Sequence, residues 1–242
     1  PVHADKEHLG SLENIIKEKK KLVDCLPENG LAIFNYDDEI VRKIGKEYIG
    51  RKIFYGTKKD ADIFASTVKI ETMGTVFKLN GQVTVETGLL GYPAVYSCLI
   101  AWAVGKELKI EEDKIIKALK LLEPLKGRFS IEPGPMETFL VNDALRANFA
   151  STISGLKSLA EFSGKKVAVL GEMGEIGETE EEVHRQIGQK IAGLKIDCLI
   201  GVGPLAKFIV EEAMKNGFKE AYWRNNVFEA AELLAKVLEK ND

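Results

Sequence analysis

The chain has 242 residues, 45% of them hydrophobic and 29% charged, which is ordinary globular usage and excludes both a disordered segment and a mini-scaffold needing disulfide or metal staples. Its 34 Lys and Arg stand against 37 Asp and Glu, a net charge of -3, so no global field draws it to nucleic acid or to an anionic membrane. Cys25, Cys98 and Cys198 lie far apart in or beside apolar runs and read as reduced core thiols of a cytoplasmic protein.

In chain order, residues 12 to 26 place Leu12, Ile15, Ile16, Leu22, Val23 and Leu26 among lysines, an amphipathic helix stopped by Pro27, Asn29 and Gly30. Residues 31 to 34 predict a short buried strand, Asp37 or Asp38 caps a helix to about Tyr48, and residues 52 to 55 predict a second strand. Period-two alternation over 63 to 72 and 75 to 87, with Asn80-Gly81 between apolar runs, predicts an antiparallel addition with a hairpin. The uncharged stretch 88 to 105 approaches membrane-span length, but Pro93, Ser97 and its glycines make it a buried helix from about Pro93 to Glu107. The first twenty residues hold no apolar core of a signal peptide, which agrees with a cytoplasmic location. A further helix over 112 to 122 leads to Glu-Pro-Leu-Lys-Gly at 123 to 127, read as a domain boundary. Beyond it, residues 138 to 141, 166 to 170, 198 to 202 and 221 to 223 read as strands of one doubly wound parallel sheet, separated by helical stretches.

Ligands of such sheets sit beyond the carboxyl ends of the strands, which singles out Asn142-Asp143, Gly171-Glu172 and Gly201-Val202-Gly203. The run Gly201 to Ala206 resembles a dinucleotide fingerprint, but it follows a late strand and contains Pro204, so a tight strand-to-helix turn is the stronger reading. The Gly-rich run 171 to 178, with Glu172 and a downstream His184, is either a ligand-covering loop or an acidic solvated one. Residues 142 to 148 are likewise either a polar turn capping the next helix or a ligand-facing loop.

Together, Gly10-Ser11-Leu12-Glu13-Asn14-Ile15 with Lys17-Glu18-Lys19, the run from Leu26 to Asp38, Leu125-Lys126-Gly127-Arg128, Asn142-Asp143 with Ala147-Asn148, and Val169 to Glu178 with His184 resemble the Mur ligase family. The likeness is greatest to its D-alanyl-D-alanine-adding branch. The resemblance implies that residues 1–126 are the later part of a P-loop-type central ATPase domain, α/β with an antiparallel addition, and that 127–242 are a Rossmann-like C-terminal domain. It implies an ATP-dependent amide ligase that activates a carboxylate as an acyl phosphate for attack by an amine. ATP and Mg2+ would be its cofactors, and a UDP-linked muramoyl peptide and an amino acid or dipeptide its partners. By the same resemblance Lys19 is a catalytic lysine that, carbamoylated, ligates metal together with His3 or His8, the acidic Asp5 favouring His3. Arg128 and Asp143 contact nucleotide, Arg146 and Asn148 face substrate, and Glu172 and His184 are catalytic. Lys19 is expected to point to an interdomain cleft, and Asp143, Arg146, Glu172 and His184 to converge on it, with an imidazolium stabilised by two carboxylates.

The departures from the family are equally specific. The sequence contains no Gly-x-x-Gly-Lys-Thr/Ser, has Pro93-Ala94-Val95 where the family has His-Asn-Val, and has Leu145-Arg146-Ala147-Asn148-Phe149 where it has Tyr-Asn-Ala-Asn-Pro. The C-terminal Lys-Gly-Ser-Arg block is also missing. These features lead to the expectation that the chain alone is inactive: either part of a longer ligase, or a split or divergent paralogue. The rival reading is a non-catalytic Mur-like binding or regulatory subunit that needs a P-loop-bearing partner.

Overall fold

A computed structural model describes residues 10–174 and 180–238, whose contacts divide the chain into two units, one of Glu13–Pro124 and one of residues 10–12 with those from Leu125 onward.

The first unit runs α1 (Leu12–Asp24), β1 (Leu31–Asn35), α2 (Glu39–Glu47), β2 (Arg51–Gly56), β3 (Ile63–Glu71), β4 (Gly74–Leu79), β5 (Val83–Thr87), α3 (Gly91–Glu107) and α4 (Glu112–Lys120). Asp38 is the residue that caps α2, its carboxylate accepting from the amides of Ile40 and Val41 at 2.9 Å each, which leaves Asp37 free for another role. The strands pair in sequence order: β1 and β2 are parallel over their whole length, β3 continues parallel from the end of β2, and β3, β4 and β5 are antiparallel. Asn80 and Gly81 both take positive φ, and the Gln82 amide closes the turn onto the Leu79 carbonyl at 3.0 Å, the mirror-image turn whose twist matches a hairpin.

The core forms where Phe77, Leu79 and Val85 of the sheet meet Val95, Cys98, Leu99 and Ala103 of α3 and Ile115 and Leu119 of α4. This accounts for the apolar stretch at 88 to 105 as a buried helix, and no described helix is long and apolar enough to cross a membrane. Burial pushes the Cys98 thiol up, as expected of an inert core cysteine. Cys25 does not share that environment: it is exposed just past the end of α1, beyond the reach of that helix's apolar face.

The second unit runs β6 (Ser130–Pro133), a 3-10 turn (Pro135–Glu137), β7 (Phe139–Asn142), α5 (Phe149–Leu159), β8 (Val167–Leu170), α6 (Glu180–Ile191), β9 (Cys198–Val202), α7 (Ala206–Lys215), β10 (Ala221–Arg224) and α8 (Val227–Val237). Among the described residues its parallel sheet has three strands, ordered β10-β9-β8. Alternation along β9 sends Leu199 toward Ile187 and Ile191 of α6 and Ile209 and Ala213 of α7, and Cys198 and Ile200 toward Ala230 of α8. Helices therefore cover both faces, as a doubly wound sheet requires.

One strand departs from expectation. The stretch at 138 to 141 does not join the parallel sheet; as β7 it pairs antiparallel with β6, Ser130 opposite Asn142 and Pro133 opposite Phe139. The neighbouring β6 satisfies its backbone groups locally, and Phe139 and Leu140 stay exposed, so its apolar run marks a ribbon and not a buried strand.

Candidate functional site

At the carboxyl edge of the parallel sheet, β8 runs into Gly171-Glu172-Met173 and β9 into Gly203-Pro204-Leu205. The exposed Glu172 reaches across, its Oε1 accepting from the Leu205 amide at 2.7 Å at the start of α7, where a carboxylate also meets the positive end of the helix dipole. Gly203 makes this approach possible: its φ is +97°, and a Cβ there would lie 2.8 Å from the Glu172 carboxyl carbon. Gly201 is equally tight, since its Cβ would lie 2.7 Å from Val210 on α7. Trp223 donates to the Gly203 carbonyl at 2.8 Å and fastens β10 to the same loop. The glycines of this run thus serve helix–strand packing, and the amide available to a pyrophosphate is bonded to Glu172, as the tight-turn reading requires.

His184 is not at an open edge. It lies on α6 with no solvent exposure, its Nε2 accepting from the Met173 amide at 3.0 Å and its Nδ1 2.6 Å from the Glu180 carbonyl oxygen. Among the described residues both ring nitrogens are bonded to main chain and neither to the carboxylate of Asp143 or Glu172, so the expected pairing of the ring with those two carboxylates is replaced by main-chain bonding.

Arg128 and Asp143 do come together. The Asp143 carboxylate accepts from the Phe129 amide at 3.1 Å, and desolvation pushes it above the ordinary aspartate range against the opposing pull of that amide and of the Arg128 guanidinium. Its inner side is packed tightly: a Cβ on Gly155 of α5 would lie 3.3 Å from Oδ2. Asp143 follows β7 in the ribbon, so it does not share a sheet with Glu172 as expected. Between the two lies α5, which also offers the Thr152 hydroxyl to the Met173 sulfur at 3.7 Å.

Asn148 caps α5, accepting from the Ser151 amide at 3.0 Å while the Ser151 hydroxyl accepts from the Asn148 amide, also at 3.0 Å. Of its two readings, helix capping is thus realised. Arg146 is exposed two residues earlier. Lys19 is exposed on α1, and His3 and His8 lie outside the described residues. Among the described residues no three His, Cys, Asp or Glu side chains cluster to hold a metal ion.

The candidate set also omitted a constellation in the first unit. Asp37, just past β1, accepts on Oδ2 from the Thr57 amide (2.7 Å), the Thr57 hydroxyl (2.9 Å) and the Tyr96 phenol (2.9 Å), tying β1, β2 and α3 at the carboxyl edge of the parallel strands. Its Oδ1 is buried with no hydrogen-bond partner. Burial, then the hydrogen bond and charge of Asp37, hold the Tyr96 phenol well above its ordinary value, and burial with the same charge raises Tyr55. The signal in sequence was two adjacent aspartates after a strand, of which a cap uses one. A cavity of about 330 Å3 lined by Lys20, Val23, Asp24, Ile44, Glu47 and Tyr48 lies at the carboxyl ends of α1 and α2. That is the amino edge of β1 and β2, opposite the edge where such sheets bind ligands.

Comparison with known proteins gives a match to the Mur ligase middle domain over residues 1–105 and to the Mur ligase glutamate ligase domain over residues 127–242. A relative from Buchnera aphidicola subsp. Baizongia pistaciae (strain Bp), UDP-N-acetylmuramoyl-tripeptide--D-alanyl-D-alanine ligase, is 32% identical over 203 residues, which is 82% of this chain and 44% of the relative. The crystal structure of MurF from Acinetobacter baumannii superposes with a TM-score of 0.85 at 22% identity, covering 97% of this chain and 51% of that one. MurF ligase from Thermotoga maritima, solved in complex with ADP, gives 0.84 at 24% identity, covering 99% and 55%. The chain thus spans about half the length of the proteins it matches.

Proposed function

The chain belongs to the Mur ligase family, and we propose that it supplies the later part of the ATPase domain and the amine-side domain of an ATP-dependent ligase joining a dipeptide such as D-alanyl-D-alanine to a UDP-linked muramoyl peptide. The observation that carries the reading is the order of the two domain matches, 1–105 followed by 127–242, beside a relative named for that reaction. In the proposed reaction the γ-phosphoryl group of ATP passes to the peptide carboxylate, giving an acyl phosphate and ADP. The amine then attacks the acyl carbon, and phosphate leaves as the amide forms.

Such chemistry is largely positioning and charge stabilisation. Arg128 would meet phosphate oxygens and Asp143 the ribose hydroxyls, each by the chemistry of its side chain. Glu172 would orient the incoming ammonium and accept its proton, with Arg146 facing the substrate carboxylate. The backbone cradle and lysine of a P-loop are missing from the sequence, so the phosphates of ATP need residues from a longer reading frame or from a P-loop-bearing partner. Lys19 would hold Mg2+ only as a carbamate, because its ammonium repels a cation, and the described residues do not by themselves fit the metal.

The test is ADP release by the complete reading frame containing this sequence. We expect release that depends on both a UDP-muramoyl tripeptide and a dipeptide, and that falls about 100-fold or more in Glu172→Gln. The altered Pro93-Ala94-Val95 segment favours the rival reading, a binding subunit without chemistry. Ligand binding with no ADP release on addition of any P-loop-bearing partner would establish that rival.

A further inference from the structure

The ring of His184 is fully buried, and its two hydrogen bonds go to main chain on either side of residues 174 to 179. A carbonyl oxygen only accepts, so Nδ1, facing Glu180, carries the hydrogen. An amide only donates, so Nε2, facing Met173, is bare. Two independent partners therefore select one form of the ring, and a hydrogen on Nε2 would collide with that of the Met173 amide.

The Met173 amide belongs to the peptide group that joins Met173 to Glu172, so its direction sets the backbone from which the Glu172 side chain departs. Met173 is held a second time, by its buried side chain and the Thr152 hydroxyl on its sulfur. The exposed carboxylate one residue away is thus mounted on a buried, doubly anchored neighbour, and it ends on the Leu205 amide at 2.7 Å. We propose that His184 is a positioning residue: as the neutral Nδ1–H tautomer it fixes the Met173 peptide and so seats Glu172 at the start of α7. The proposal deepens the ligase reading, which it needs only for what the seated carboxylate then does.

The test combines NMR of this chain with the ligation assay. A long-range proton–nitrogen spectrum should show His184 protonated at Nδ1 and bare at Nε2. In His184→Gln, whose side-chain oxygen reaches the Nε2 position, the Met173 and Leu205 amides should exchange within about threefold of wild type. In His184→Leu, similar in bulk but without an acceptor, both should exchange about tenfold faster or more while Leu199 in the sheet centre is unchanged. Ligation by the complete reading frame should follow the same order, kept in Gln and lost about tenfold or more in Leu. An Nε2–H ring or an imidazolium in the native spectrum overturns the proposal, as does a Leu205 amide indifferent to His184→Leu. If the leucine variant does not fold, the native spectrum and the glutamine variant still decide. The spectra use no substrate, so a failed ligase reading and a failed positioning role remain distinguishable.

Discussion

Replacing Asp37 by alanine removes the one oxygen that receives the Thr57 amide at 2.7 Å and the Thr57 and Tyr96 hydroxyls at 2.9 Å each. A hydrogen bond to a charged group contributes about 1.5–3 kcal/mol, so three independent bonds would sum to about 4.5–9 kcal/mol. Two effects reduce this. The three donors share one acceptor, and the half-buried Thr57 and Tyr96 hydroxyls can turn to water. The unpartnered Oδ1 is also a desolvation cost that wild type carries and alanine removes. We expect a loss of about 2–4 kcal/mol for Asp37→Ala and about half of that for Asp37→Asn. The chain has two tryptophans, Trp102 in the first unit and Trp223 in the second, so urea unfolding followed by fluorescence in a Trp223→Phe background reports the first unit alone.

The same bonds give a pH signature. The folded Tyr96 phenol lies above its unfolded value of 10.0, so the folded state holds the proton more tightly. Its contribution is full below about pH 10 and is lost as pH rises through the folded value, and Tyr55 acts in the same sense. Stability should therefore fall above pH 10 in wild type, and phenolate absorbance should appear at lower pH in Asp37→Asn. An Asp37→Ala unfolding free energy within about 0.5 kcal/mol of wild type, or an unchanged phenolate titration, would refute the reasoning.

In the second unit, Gly203→Ala should destabilise by about 1–3 kcal/mol in thermal unfolding followed at Trp223, because the added methyl meets both a positive φ and the Glu172 carboxyl group; an unshifted midpoint would show that the loop adapts. Asn148→Ala should cost about 0.5–2 kcal/mol through the lost cap of α5, whereas Asn148→Asp should cost much less, and equal losses in the two would argue against capping. For Asp143, desolvation places the folded carboxyl above its unfolded value, so its ionisation weakens the fold as pH rises through the folded value. Asp143→Asn should accordingly gain stability relative to wild type between pH 3 and pH 7 in denaturant titrations, and a gap constant with pH would contradict this.

Much of the architecture follows from local patterns that act through nearby residues. The Asn80-Gly81 turn, the Asp38 cap and the apolar helix 91–107 are each specified by a few consecutive side chains whose backbone preferences do not depend on distant contacts. The unbroken apolar run of β9 likewise marks a strand buried on both faces. The family resemblance rested on several short blocks in a fixed order, which are also local. Tertiary structure decided the rest, because pairing partners and burial are not properties of a segment. Residues 138 to 141 are apolar enough for a core strand, yet they pair with Ser130–Pro133, whose strand character the sequence barely signals, and this took Asp143 out of the sheet that carries Glu172. His184 sits among acidic residues on a charged helix; only the tertiary packing turns it inward, where both ring nitrogens meet main chain. Asp37 became a three-donor acceptor because β2 and α3 bring Thr57 and Tyr96, 20 and 59 positions away, to one carboxylate.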